Sequence, residues 1–65
     1  SLSPAVKEAL GGEGNVSRAV KSDGNALRVK VKDRAKIDEK KLREAGIDLM
    51  MKIDEELVYL MPFVP

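Results

Sequence analysis

The side chains most often used for covalent and metal chemistry are missing from this sequence: its 65 residues include no cysteine and no histidine. A thiolate nucleophile, an imidazole base and zinc sites built from those ligands are excluded, and no metal or other cofactor is expected. Two kinds of chemistry remain. Asp23 could accept a phosphoryl group as an acyl phosphate, and Ser22 could act as a nucleophile if a base activated it. Their setting argues against both. Ser22-Asp23-Gly24-Asn25 is strong turn chemistry, in which short polar side chains bond their own backbone. With no histidine to serve as base, the turn is the weightier reading. The second kind is anion binding. Arg28, Lys30, Lys32, Arg34 and Lys36 recur at every second position. Side chains on one face of a strand stand ~6.5–7 Å apart, close to the phosphate spacing along a nucleic-acid strand. A solvated strand face is the plainer account of this row. The 12 basic and 11 acidic side chains nearly cancel, Tyr59 and Phe63 are the only aromatics, and lysines blunt edge pairing. Nucleic acid is therefore not expected as the partner.

The elements that must position these groups follow from local spacing. Residues 4–10 read as a short helix, with Ser3 as cap, Pro4 at the first helical position, and Val6, Ala9 and Leu10 as an apolar stripe. Gly11 and Gly12 stop it. Between Gly14 and Gly24, Val16, Ala19 and Val20 have helical spacing and predict one or two turns. From Ala26 to Lys32 the period becomes two, with Leu27, Val29 and Val31 opposite Arg28, Lys30 and Lys32, which predicts a half-buried strand. Residues 38–45 carry helix signals: Asp38 as cap, Ile37 and Leu42 at the positions of a hydrophobic staple, Glu39 and Arg43 placed to suit the dipole, and Gly46 just past the end.

Two further strands are expected at residues 47–53 and 57–61, joined by Asp54-Glu55-Glu56 as a hairpin turn. The first sets Ile47, Leu49, Met51 and Ile53 against Asp48, Met50 and Lys52, which would leave Met50 on the outer face. The second, Leu57 to Met61, is apolar on both faces, as in central or doubly covered strands. Pro62 and Pro65 are expected to end the pairing. The expected fold is α+β: an antiparallel sheet of three or four strands with helices on its Leu27/Val29/Val31 face.

A chain of this length makes one domain, residues 1–65, and buries only about 60% of the surface its unfolded form exposes. Packing against something else is the expected source of further stability, through the strand from Leu57 to Met61 in a homodimer or against another domain. No apolar run approaches the ~20 residues that span a bilayer, so an intracellular domain without membrane insertion is expected, excised from a longer chain.

Three strings, in order, resemble a known family. EALGGEGNV (residues 8–16) is similar to the ALGGxxNI segment of the EIIB domain of the glucose and N-acetylglucosamine family of sugar phosphotransferase systems. ALRVKVKDRAKID (26–38) is similar to its TRLRVxVxDxxxVD, and KKLREAGI (40–47) to its LKxxGV. The resemblance implies an α+β sandwich and a cytoplasmic location, possible also as the cytoplasmic part of a membrane-bound transporter. It also implies a relay in which a cysteine just ahead of the strand takes a phosphoryl group from EIIA and passes it to sugar bound in EIIC. That relay needs a low-pKa thiolate and cations to receive phosphate charge.

The match fails at the chemistry. In the family's Cys-x-Thr-Arg-Leu-Arg, the cysteine falls on Asp23 when counted from the strand and on Ser22 when counted from the double glycine. The threonine falls on Asn25 and the first arginine on Ala26; only Arg28 is kept. Where the family continues into a Gly-Thr turn and a third helix, this sequence has Met61-Pro62-Phe63-Val64-Pro65. The resemblance therefore implies a catalytically inactive EIIB-like domain, with Arg28 and Asn25 as remnants of a phosphate site and EIIA, EIIC or a second EIIB as partners. Asp23 would imitate a phosphocysteine only in part, with about one charge against roughly 1.5–2 for a phosphate. The alternatives are an anion- or nucleic-acid-binding module using the row from Arg28 to Lys36, and a phosphocarrier using Asp23 or Ser22.

Overall fold

Ser3 and Pro4 start the first helix as their side chains dictate. In the computed structural model, which describes residues 2–63, α1 spans Pro4–Ala9 and the Ser3 hydroxyl accepts the Val6 N–H at 3.2 Å. Six residues cannot hold a helix in water. Packing holds this one: Val6, Ala9 and Leu10 are buried, and Leu2 joins them. The second helix, α2 (Glu39–Glu44), begins at Asp38, whose carboxylate accepts the Lys41 N–H at 3.1 Å, and it buries Leu42. The Asp38 N–H donates to the Ala9 carbonyl at 2.8 Å, tying the end of one helix to the start of the other.

Four strands, β1 (Val16–Lys21), β2 (Leu27–Val31), β3 (Ile47–Lys52) and β4 (Leu57–Pro62), form one antiparallel sheet in the order β1-β2-β4-β3. Val29 pairs with Val58 and Leu27 with Leu60, so the inner residues of β2 and β4 share a face. Val29, Val31, Val58 and Leu60 are fully buried there among the helix side chains. This is the α+β architecture that the sequence periods predict.

Several local expectations are corrected. The stretch with helical spacing is strand β1, and a bulge explains the misleading period. The register shifts between Val16 and Arg18, so Val16 stands opposite Val31 and Ala19 opposite Val29, both on the helix side. A spacing of three on one face is thus a strand's alternation with one residue inserted. A second irregularity, between Ile47 and Leu49, breaks β3 in the same way. Ile47 is buried and Met50, opposite Leu60, packs on the core, whereas Leu49 and Met51 turn outward. Met50 is therefore an inner residue, and Met51 and Met61 are not core. Pro62 does not end the pairing; it is the last residue of β4, opposite Ile47, beyond the point where β2 needs an N–H from it. Pro65 lies outside the described residues.

The double-glycine string has a structural explanation. Asn15 is buried, its Nδ2 donating to the Leu10 carbonyl at 2.7 Å and the Asp33 carbonyl at 2.9 Å while its Oδ1 accepts the Asp33 N–H at 2.9 Å. This amide joins the end of α1 to the end of β2. Gly11, at φ +104°, leaves room for it: a Cβ there would sit 2.8 Å from the Asn15 Nδ2 and from the Lys36 Cβ.

Asp54 organises the β3–β4 turn by accepting the Glu56 and Leu57 N–H groups, each at 2.8 Å. Those two bonds hold its carboxyl below the usual range against an opposing effect of desolvation, with lesser help from the Arg34 and Lys30 charges. A lowered folded pKa adds stability that is complete above the unfolded value of about 3.9 and is lost as pH falls through the folded value. Asp54→Asn keeps the accepting oxygen but not the charge. Wild type should therefore exceed this variant in thermal stability at neutral pH, with the gap closing below about pH 4. Melting curves that stay parallel down to the acid limit would refute this account of the turn. Among the described residues, no helix is long and apolar enough to cross a membrane.

Candidate functional site: the β1–β2 hairpin and the open sheet face

The hairpin joining β1 to β2 contains the residues that sequence reasoning singled out. The Ser22 N–H donates to the Ala26 carbonyl at 2.8 Å and the Ala26 N–H to the Asp23 carbonyl at 3.3 Å. Gly24 takes φ +65° at the first central position, as a primed hairpin turn requires. Ser22 is half-buried, and its Oγ accepts the Tyr59 Oη–H at 2.9 Å, a bond that reaches across β2 from the far strand. Asp23 and Asn25 are exposed at the tip. Ala26 is 2% exposed, covered by its neighbours at the foot of the turn.

Arg28 and Lys30 project from β2 on the face opposite the helices, but the expected five-residue row is broken beyond them. The strand ends at Val31; Arg34 and Lys36 belong to a 3₁₀ turn, Arg34–Lys36, capped by Asp33. Arg34 donates to the Asp54 carbonyl, and Lys36 stands beside Gly11. What takes the place of the lost members is Arg18 on β1, directly opposite Lys30 in the register. Sequence reasoning missed it because the bulge hides β1. Arg18, Lys21, Arg28 and Lys30, with Ser22 and Asp23, line an open hollow of about 660 Å³. Arg18, Arg28 and Lys30 face it from the open side, Lys21 stands at its edge with a register on the helix side, and Asp23 is its one carboxylate. Directly opposed like charges on a sheet are destabilising. An anion placed between Arg18 and Lys30 relieves that cost. Lys30 also pairs with Glu56 at 3.8 Å, but both side chains are more than half exposed, 55% and 58%, and such a pair contributes little.

The other half of this face is apolar. Leu57, Tyr59 and Met61 alternate with the buried Val58 and Leu60, and Leu49 and Met51 stand opposite Met61 and Tyr59. Among the described residues, the large hydrophobic side chains that are exposed, from 39% at Met61 to 54% at Phe63, belong to this side. Val20, Leu49, Met51 and Met61 are there by register, and Ile53 and Phe63 continue the alternation just past the strand ends. The pairing of charge and apolar surface arises because β1 and β2 supply outward cations and β3 and β4 outward aliphatics. Such a face can hold an anionic group or a partner's surface. Its hairpin offers no nucleophile with a base beside it. Compared with protein-family models, with curated proteins and with solved structures, the chain finds no match in any of the three.

Proposed function

We propose that this chain is an EIIB-like domain of a sugar phosphotransferase system that has lost the phosphoryl acceptor and works in the cytoplasm by docking to other components of such a system. EIIA, EIIC or a second, intact EIIB are the partners this reading names. The ordered resemblance of the three strings supports it. The observation that carries it is the state of the hairpin. Arg28 faces a cation-lined hollow beside the turn, yet the Ser22 hydroxyl is bonded to Tyr59 with no histidine in the chain to serve as its base, and Asp23 stands exposed at the tip of the turn. The strings that match are those that build the fold, such as Gly11 and Asn15 in their bracket, and the positions that would do chemistry have changed.

Incubation with phosphoenolpyruvate and a reconstituted upstream relay should leave the intact mass unchanged. A stoichiometric gain of ~80 Da, about one phosphoryl group, that disappears in Asp23→Asn or Ser22→Ala would overturn the reading in favour of a phosphocarrier. A second reading, an anion- or nucleic-acid-binding module, is favoured by the cation cluster that Arg18 completes with Arg28 and Lys30. Its signature is binding to phosphate polymers that falls steeply with added salt.

A further inference from the structure

We propose that the sheet face turned away from α1 and α2 is the seat of an acidic, amphipathic helix from a partner protein. Its apolar stripe would lie along β3 and β4 and its carboxylates over Arg18, Arg28 and Lys30. This names the docking surface for the reading above, but it rests on the face alone.

Three observations carry the proposal. An antiparallel sheet can leave one face to water when that face is polar, but here the face the helices leave open carries large exposed apolar side chains. Leu49, Met51, Tyr59 and Met61 make the uncovered apolar strip, two strands wide. Strands lie ~4.7–4.9 Å apart and a helix is ~10–12 Å across, so one helix fits that strip. The methionines adapt to varied partner shapes. The occupant's charge follows from the flank. On β1 and β2 the outward side chains are Arg18, Val20, Arg28 and Lys30; the carboxylates near them are Asp23 at the hairpin tip and Glu56, in a weak and exposed pair with Lys30, so the cations remain in excess. A carboxylate row on one edge of the helix would meet these guanidinium and ammonium groups directly.

Other occupants fit less well. A second copy placed face to face by a two-fold axis along the strands would press these cations onto aliphatic side chains. An axis across the strands would set them against the same cations. Either arrangement buries charge without a partner. A nucleic-acid strand needs stacking rings, and Tyr59 is the one ring within the strands, its hydroxyl already engaged by Ser22.

The test uses a synthetic helical peptide of about 14 residues, long enough at ~1.5 Å per residue to follow a strand, with leucines on one stripe and glutamates along its edge. A second peptide replaces the glutamates with lysines. The acidic peptide should bind, with NMR shifts at Leu49, Met51, Tyr59, Met61 and Arg28, and the basic one should not. Arg28→Glu with Lys30→Glu should weaken binding by at least about tenfold, with unchanged circular dichroism, and Met51→Lys should do so independently. Equal binding of both peptides, or none by the acidic one, overturns the proposal. So does tighter binding to phosphatidylserine vesicles or to oligouridylate. A concentration-dependent dimer abolished by Met51→Lys would assign the face to a second copy and likewise overturn it. The intact-mass experiment is indifferent to all these outcomes, so the two readings fail separately.

Discussion

Asn15→Ala is expected to remove most of the protein's stability and leave it only marginally folded at room temperature. The substitution removes two donors and one acceptor at once, and it orphans the Leu10 carbonyl together with both backbone groups of Asp33. A buried polar group without its partner costs about 1–3 kcal/mol. The Leu10 bond is fully buried and those to Asp33 are partly so, which places the total at roughly 2–4 kcal/mol. A domain this small holds little more than about 3–5 kcal/mol in its core. Asn15→Asp should be no milder, because it turns a carboxylate oxygen toward two carbonyls that need donors. Urea unfolding followed by circular dichroism measures the effect, and a midpoint shift equivalent to under about 1 kcal/mol would mean water replaces the amide freely.

The second large effect is a contrast between neighbours on the two faces. Val58→Lys should abolish folding, whereas Met51→Lys should leave the fold intact and raise solubility. Val58 is fully buried opposite Val29, so a lysine there forfeits roughly 1.5–3 kcal/mol of burial and adds an unpaired charge to the core. Met51 is 44% exposed on the open face, and its ammonium would reach water. The comparison is read from thermal melts and from the soluble fraction on expression. Equal tolerance at both sites would show that the assignment of faces is reversed.

Most of the architecture was legible because it rests on residues whose pattern has one interpretation. Leu27, Val29 and Val31 alternate without interruption, and Asp38 caps α2 as its type dictates. What escaped is traceable to two bulges. Each inserts one residue and shifts the later side chains to the other face, so β1 mimicked a helix and Met50 exchanged places with Met51. Alternation cannot reveal an insertion in a strand whose partners are unknown. The same gap hid Arg18, whose relevance lies only in standing opposite Lys30. The strand Leu57 to Met61 was legible as central and as too apolar for the helices of so short a chain to cover on both sides, but which of its faces they cover was not. Of the hairpin, the turn was legible from its composition. The Tyr59 bond to Ser22 was not, because 37 residues separate its ends.

The strand that comes last in the chain lies inside the sheet, between β2 and β3. Each hairpin is local, but the seam that joins them pairs Leu27 with Leu60, far apart in sequence. Chain entropy must be surrendered before that seam returns anything, which makes assembly of the two hairpins the committing step and folding slow for so short a chain. Neither hairpin has a covered face of its own until the seam closes, so the sheet melts as a unit rather than strand by strand. Tyr59 sits on the seam strand with its hydroxyl on the opposite hairpin, and it is the only tyrosine in a chain without tryptophan. Its ultraviolet signal is therefore a built-in reporter of whether the two halves have met.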